Sequence, residues 1–330
     1  MEYLVNEQID KLKWTNFVEN NVLGSPFQLP EYYELYNSLP GYSADVIAIE
    51  ESGNIQALCV IVLLKESGLK GYFSRRAIIY GGPVLIKEKD FLLDLLLNII
   101  NTNYKRKVIY IETRNLESYN SLKNIFQENK WKYESHLNFH LDCSNLDMAL
   151  KRMHSTRRRQ IRSALKNETY IETAQNISEV QLFYNLLKDL YHIKIKKPLM
   201  PWLFFKLFFE KQLGVYLLVK YNNQIIGGIM CPILKNQKIY EWYIVGLDKS
   251  FKKQYPSVMA TYAAIEFGAK NYYTKFDFMG AGKPNNEYNV RDFKSKFGGE
   301  LVEYGRFLKI FNPMLYFIGK LGLKFIYIFK

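Results

Sequence analysis

The two halves of this chain repeat one order of elements, and that repeat limits the fold more than any other feature. In the first half "ADVIAIEESGNIQALCVIVLLKE" reads as strand, Gly-Asn turn, strand; in the second, "GVYLLVKYNNQIIGGIMCPILKN" reads as strand, Asn-Asn turn, strand. Each hairpin is followed by a further strand (Ala77 to Gly82; Ile239 to Gly246) and an amphipathic helix (Phe91 to Asn101; Val258 to Ala269). Then come a second strand ("KVIYIETRN"; "KFDFMGAGK") and a short helical segment closing on an aromatic residue ("YNSLKNIFQENKW"; "VRDFKSKFGGELV"). Matching pieces lie about 160 to 170 residues apart. A hairpin continued by strand, helix and strand requires a mixed, mainly antiparallel sheet with helices on its faces, one per half. The expectation is an α/β chain of two tandem units, 1–145 and 146–330, the second with a hydrophobic, basic tail over about 307–330. Where neighbouring strands of such a sheet splay apart, a crevice opens that admits a ligand.

A chain of 330 residues exceeds the usual single core, and 48% hydrophobic content suffices to bury two. Forty-five Lys and Arg against 32 Asp and Glu leave a net charge of +13, which draws anionic partners such as phosphates, RNA or acidic lipid. The three cysteines, Cys59, Cys143 and Cys231, are odd in number and far apart, so neither a disulfide framework nor a metal site is expected. That usage fits a reducing, cytoplasmic compartment, and "MEYLVNEQID" lacks a signal-peptide pattern. The histidines, His136, His140, His154 and His192, are isolated along the chain, and none is expected to catalyse.

Several stretches carry a resemblance. They are "SPFQLPEYYELY", "YGGP" at Tyr80 to Pro83, "YIETRN…FQENKWKYESHLNFHLD", the basic "STRRRQIRSALKN", "YEWYIVGLD", "YPSVMATYAAIEFGAK", "FDFMGAG" and "FKSKFGG". Taken in order over nearly the whole chain, this pattern resembles the GNAT acyltransferase fold. The tandem arrangement is similar to the FemABX family, peptidyl transferases that add amino acids to peptidoglycan precursors. The resemblance implies transfer of an acyl or aminoacyl group to an amine of a cell-envelope precursor, with the first unit shaping the acceptor site.

Acyl transfer to an amine needs a donor pocket, a route for the amine's proton and a group to meet the oxyanion of the tetrahedral intermediate. Lys294, set between Phe293 and Phe297, is partly desolvated and so suited to the oxyanion, a role the resemblance also implies for the lysine of Phe-Lys-x-x-Phe. Lys296, two residues on, points elsewhere and is expected to be solvated. Gly280, in the Gly-Ala-Gly corner before it, and Tyr288, in the polar loop, are expected to border the substrate.

In "IYEWYIV", Tyr240, Trp242 and Ile244 share one strand face and Glu241, Tyr243 and Val245 the other. One face is core; if the other lines the crevice, Glu241 is a candidate base, with Tyr243 and Trp242 positioning the acceptor. An edge carboxylate more often faces solvent. Ser155 or Thr156 caps the helix of "STRRRQIRSALKN", placing Ile161, Ala164 and Leu165 on one face. Arg158, Arg162 and Lys166 then form a ladder of like charge, which reads either as a phosphate or RNA contact or as a solvated face. The resemblance further implies a basic residue near Lys197 that binds the acceptor's phosphates, lysine standing where arginine is frequent.

GNAT enzymes that use CoA hold its pyrophosphate on a glycine-rich loop opening a helix. Here that place reads "KSFKKQYPSVMATY", and Pro256 removes an N–H donor. This disfavours ordinary CoA binding, and the resemblance implies an aminoacyl-tRNA donor, since FemABX relatives have the same proline-containing loop. The expected donor is aminoacyl-tRNA or acyl-CoA, with no tightly bound cofactor, although the long coiled-coil arm of the classical enzymes is absent from the sequence. Two alternatives stay open: a CoA-dependent N-acyltransferase acting on a sugar or nucleotide-sugar in surface polysaccharide synthesis, and a non-catalytic basic RNA-binding module. The tail "FLKIFNPMLYFIGKLGLKFIYIFK" is broken by Pro313, Lys320 and Lys324, too often to span a bilayer. With Lys309, Lys320 and Lys324 on one side of a helix, it reads either as an interfacial helix at the inner membrane face, suited to a lipid-linked acceptor, or as a helix docked on the body of the protein.

Overall fold

The computed structural model describes residues 1–64, 68–86 and 89–328; side chains of 69, 70 and 322–328 lie outside the description. In chain order the strands are β1 (Glu2–Val5), β2 (Tyr42–Glu51), β3 (Asn54–Leu64), β4 (Arg76–Gly81), β5 (Val84–Leu85), β6 (Tyr110–Asn115), β7 (Lys132–Glu134) and β8 (Leu137–Asp142). They continue as β9 (Tyr170–Thr173), β10 (Gly214–Tyr221), β11 (Gln224–Leu234), β12 (Lys238–Tyr240), β13 (Tyr243–Gly246), β14 (Lys275–Asp277), β15 (Glu300–Glu303) and β16 (Arg306–Ile310).

These form two eight-stranded mixed sheets. The first runs β1-β2-β3-β4-β6-β16-β7 with β5 on β3, and the second runs β15-β8-β14-β12-β11-β10-β9 with β13 on β11. In each, one parallel pair, β4 with β6 and β12 with β14, follows the central antiparallel hairpin, as the repeat requires. The second hairpin turns at Asn222 and Asn223 as expected. In the first the central residues are Ser52 and Gly53 rather than Gly-Asn. All four have positive φ (52°, 75°, 47° and 61°), the paired left-handed conformation whose twist matches that of the strands it joins.

The boundary differs from the sequence expectation of 145/146. The compact units are residues 1–136 with 303–330, and residues 137–302. β8 follows the first repeat in sequence but pairs with β14 of the second sheet, whereas β16 follows the second repeat and pairs with β6 and β7 of the first. Each sheet thus takes a strand from the chain segment that follows the other repeat.

Matching helices cover the two sheets. Phe91–Tyr104 buries Leu92, Leu93, Leu96, Leu97, Ile100 and Tyr104 on one face, and each such leucine contributes about 1.5–3 kcal/mol. Pro256–Lys270 is buried nearly all round, from Val258 to Ile265. The tail is strand and then helix: Lys309 belongs to β16 and donates to Asn129 O at 2.8 Å, so it does not share a helical face with Lys320. The helix proper, Pro313–Ile328, buries Leu315 and sets Tyr316 edge-on against Tyr110. The side chain of Lys324 lies outside the described residues. Among the described residues no helix is long and apolar enough to cross a membrane.

Candidate active site at the diverging ends of two parallel strands

The strand expected over Ile239 to Gly246 is broken. β12 ends at Tyr240, paired with Asp277 of β14; Glu241 and Trp242 lie outside the ladder, and β13 resumes on β11 alone. The backbone stays tied across the break, with Glu241 N–H donating to Asp277 O at 2.8 Å and Trp242 N–H to Met230 O at 3.1 Å. This break cancels the simple alternation of faces. Both Tyr240 (1% exposed) and Glu241 (4%) are buried, so Glu241 does not face solvent as an edge carboxylate usually does.

Just past Asp277 the chain turns sharply through Met279 (φ 53°) and Gly280 (φ 117°). Lys294, on the helix Asn289–Ser295, reaches into this corner and is buried. Its ammonium lies 3.0 Å from Glu241 Oε1 and donates to Phe278 O and, at 2.9 Å, to Gly280 O. Three acceptors thus meet three N–H donors. Glu241 Oε2 accepts from Thr261 Oγ1 at 3.5 Å, on the helix Pro256–Lys270. A Cβ built on Gly280 meets nothing within 4 Å, so space opens on that side of the ammonium's carbonyl partner.

Beside this pair lies a cluster that sequence reasoning missed. Asp277 (1% exposed) accepts from Asn138 Nδ2 at 2.8 Å and from Met279 N–H at 2.6 Å, and lies 2.9 Å from His140 Nε2. Burial pushes the Asp277 carboxyl up, but the facing His140 and these hydrogen bonds outweigh it and hold the group below the usual carboxylate range. His140 is the register partner of Asp277 across β8 and β14. No local signal reveals this, because the partners lie 137 residues apart in sequence.

The basic helix runs over Ser155–Lys166, and its N-cap is His154, whose ring accepts from Thr156 N–H, rather than Ser155 or Thr156. Arg158 donates to Lys151 O at 3.0 Å and Met153 O at 2.6 Å, so it caps the preceding helix, Leu146–Arg152. Arg162 and Lys166 are exposed, and Leu165, expected on the apolar face, is 49% exposed. The buried cation of this helix is Arg157, 4.4 Å from the Phe293 ring centroid and 5.1 Å from that of Phe297. It therefore packs on the two rings that flank Lys294 in sequence, and burial lowers its pKa. The spacing Arg157, Ile161, Ala164 on one helical face was the available signal.

The other expected residues scatter. Tyr243 packs against Tyr191, Phe204 and Phe205, and Trp242 against Phe204 and Phe208. Lys197 and Lys296 are exposed, the latter as expected. Tyr288 is 43% exposed and lies against Gly282, where a Cβ would come within 2.9 Å of its ring. Tyr80 is in the first unit, its ring stacked on Tyr36 and 5.2 Å from the Arg114 guanidinium. All three cysteines are buried and free, and burial raises the thiol of Cys143 to about 12, which makes it a poor nucleophile.

At the expected donor loop, Pro256 opens the helix Pro256–Lys270 behind a left-handed Tyr255 (φ 45°). The first available amide, Ser257 N–H, donates to Asp248 Oδ1 at 3.0 Å, and the Ser257 hydroxyl donates to Asp248 Oδ2. A protein carboxylate therefore already occupies the helix terminus at which a pyrophosphate would sit.

No family model matches the sequence, and neither does any curated protein. Among solved structures, FemX superposes with a TM-score of 0.77 over 96% of this chain and 99% of its own, at 17% identity. The chain has a FemABX-like tandem GNAT fold. A tandem GNAT protein from the clavulanic acid biosynthesis pathway shares the fold at a TM-score of 0.58 and 9% identity, over 94% of this chain and 99% of its own. So does the C-terminal domain of a putative lysylphosphatidylglycerol synthetase from Agrobacterium fabrum, at 0.62 and 10%, over 95% and 94%.

Proposed function

We propose that this protein is an acyltransferase that moves an aminoacyl or acyl group to an amine of a cell-envelope precursor, with Lys294 and Glu241 at its reaction centre. The observation that carries this reading is the buried Lys294–Glu241 pair at the point where β12 and β14 part. In a tandem GNAT fold with FemX among its structural neighbours, that divergence is the natural ligand crevice. The ammonium clamps the Phe278–Gly280 corner. With substrate bound, it exchanges the Gly280 carbonyl, on the open side, for the oxyanion of the tetrahedral intermediate, while Glu241 accepts the proton leaving the amine. Collapse of the intermediate breaks the donor's ester or thioester bond, and the departing ribose oxygen or thiolate takes up that proton.

Asp248 at the helix terminus favours an aminoacyl-tRNA donor over acyl-CoA, because a pyrophosphate would have to displace a carboxylate from its amide. A cytoplasmic protein peripheral to the inner membrane face fits a lipid-linked acceptor. Supporting this, Met314, Phe317, Ile318 and Leu321 recur at helical spacing on Pro313–Ile328 and are 69%, 62%, 42% and 39% exposed. Incubation with charged tRNA and, separately, with acetyl-CoA tests the reading. Loss of the aminoacyl group from tRNA, abolished in Lys294→Met, supports it; loss from acetyl-CoA alone selects the sugar N-acyltransferase alternative; loss from neither removes the enzyme reading.

A further inference from the structure

The equivalent register position in the two sheets is filled in opposite ways. In the second, Tyr240 of β12 pairs with Asp277 of β14, and Asp277 faces His140 on the next strand, β8. In the first, Tyr80 of β4 pairs with Arg114 of β6. The next strand is β16, where Leu308 pairs with Glu112; continuing that register by two residues brings Arg306 beside Arg114. Phe307 N–H bonded to Thr113 Oγ1 at 2.9 Å confirms the alignment. An acid faces a histidine in one sheet, and two guanidiniums face each other in the other.

These cations share one close carboxylate. Arg114 Nε and Nη2 lie 2.8 and 2.7 Å from Glu112 Oε1, whereas Arg306 Nη1 comes only to 3.5 Å from Oε2. Burial and the Arg114 charge together outweigh the attraction of Glu112 and of Glu134, its register partner, and lower the Arg306 pKa. The side chains are nevertheless 37% (Arg114) and 32% (Arg306) exposed, so both are partly open to solvent. Glu112 touches both cations and helps hold Arg114 above the usual guanidinium range, so the shortfall in negative charge falls on Arg306.

We propose that Arg114 and Arg306 form a binding site for an oxyanion group, a phosphate or a carboxylate, on the first sheet at the ends of β4 and β6. The Arg114 fork is half used by Glu112, and Arg306 offers its edge to the incoming group. The Tyr80 ring centroid lies 5.2 Å from the Arg114 guanidinium. This site lies within the first unit and goes beyond the proposed function, since its binding is measured without any transfer.

Isothermal titration of the full chain with inorganic phosphate, pyrophosphate and succinate separates the phosphate and carboxylate sources. We expect saturable binding of at least one probe, weakened about tenfold or more in Arg306→Gln and in Arg114→Gln. Arg306→Lys should retain part of the affinity, since it keeps the charge and loses the fork. The thermal midpoint of Arg306→Gln should hold or rise as repulsion is relieved. The site is refuted if the wild type binds none of the probes, if both Gln variants bind as tightly as wild type, or if Arg306→Gln and Arg306→Lys both lose stability while affinity stays the same.

Discussion

The Lys294 ammonium stands 3.0 Å from the Glu241 carboxylate, with both side chains under 10% exposed. Lys294→Met leaves that carboxylate buried and unpaired, which should cost about 3–5 kcal/mol in chemical denaturation. Turnover should fall by about 10²–10³, the loss typical of a missing oxyanion donor. Adding Glu241→Gln should recover much of the stability and none of the activity. Full recovery of both would reduce the pair to a structural pin.

Asp277 gives stability a pH dependence whose sign follows from its lowered pKa. The contribution is fully present above the unfolded-state value of about 3.9 and disappears as pH falls through the lower folded-state value. Denaturation midpoints measured from pH 6 down to pH 2 should therefore fall more steeply in wild type than in Asp277→Asn. Parallel curves would assign the acid loss to other carboxylates.

Asp248 should keep CoA away. Wild type is expected to show no saturable CoA binding, and Asp248→Ala to gain a weak one while losing about 1 kcal/mol with the hydrogen bond from Ser257 N–H. Tight CoA binding by the wild type would instead favour the CoA-dependent alternative.

The outward stripe on Pro313–Ile328 should hold the protein to anionic membranes. Phe317→Asp with Ile318→Asp should abolish co-sedimentation with phosphatidylglycerol vesicles and leave the unfolding midpoint unchanged, because both side chains already face solvent. Excision of 313–330 is the poorer test, since it also removes buried Leu315 and the Tyr316 contact with Tyr110. Sedimentation that survives the double substitution would dismiss the membrane role.

The repeat was legible because hairpin turns and alternating apolar residues are local signals, and both central hairpins and both parallel pairs follow from it. Lys294 drew notice through its flanking phenylalanines, whose rings do pack around Arg157. What escaped depends on distant pairing. The His140–Asp277 contact, the place of β8 and β16, and the facing of Arg114 by Arg306 join residues more than a hundred positions apart. The break at Glu241 and Trp242 escaped for another reason: its apolar pattern is that of an unbroken strand, and only the end of the β14 pairing at Tyr240 reveals it.

The destination of β16 sets a timetable for the growing polypeptide. Everything the second sheet requires lies in the contiguous stretch 137–303, so it can close while synthesis continues. The first sheet waits for Arg306–Ile310, and until those residues emerge β6 and β7 present bare edges to whatever is near. The half translated first is thus the half finished last, and a ribosome stalled just short of that strand would release a chain with one sound sheet and one that invites aggregation.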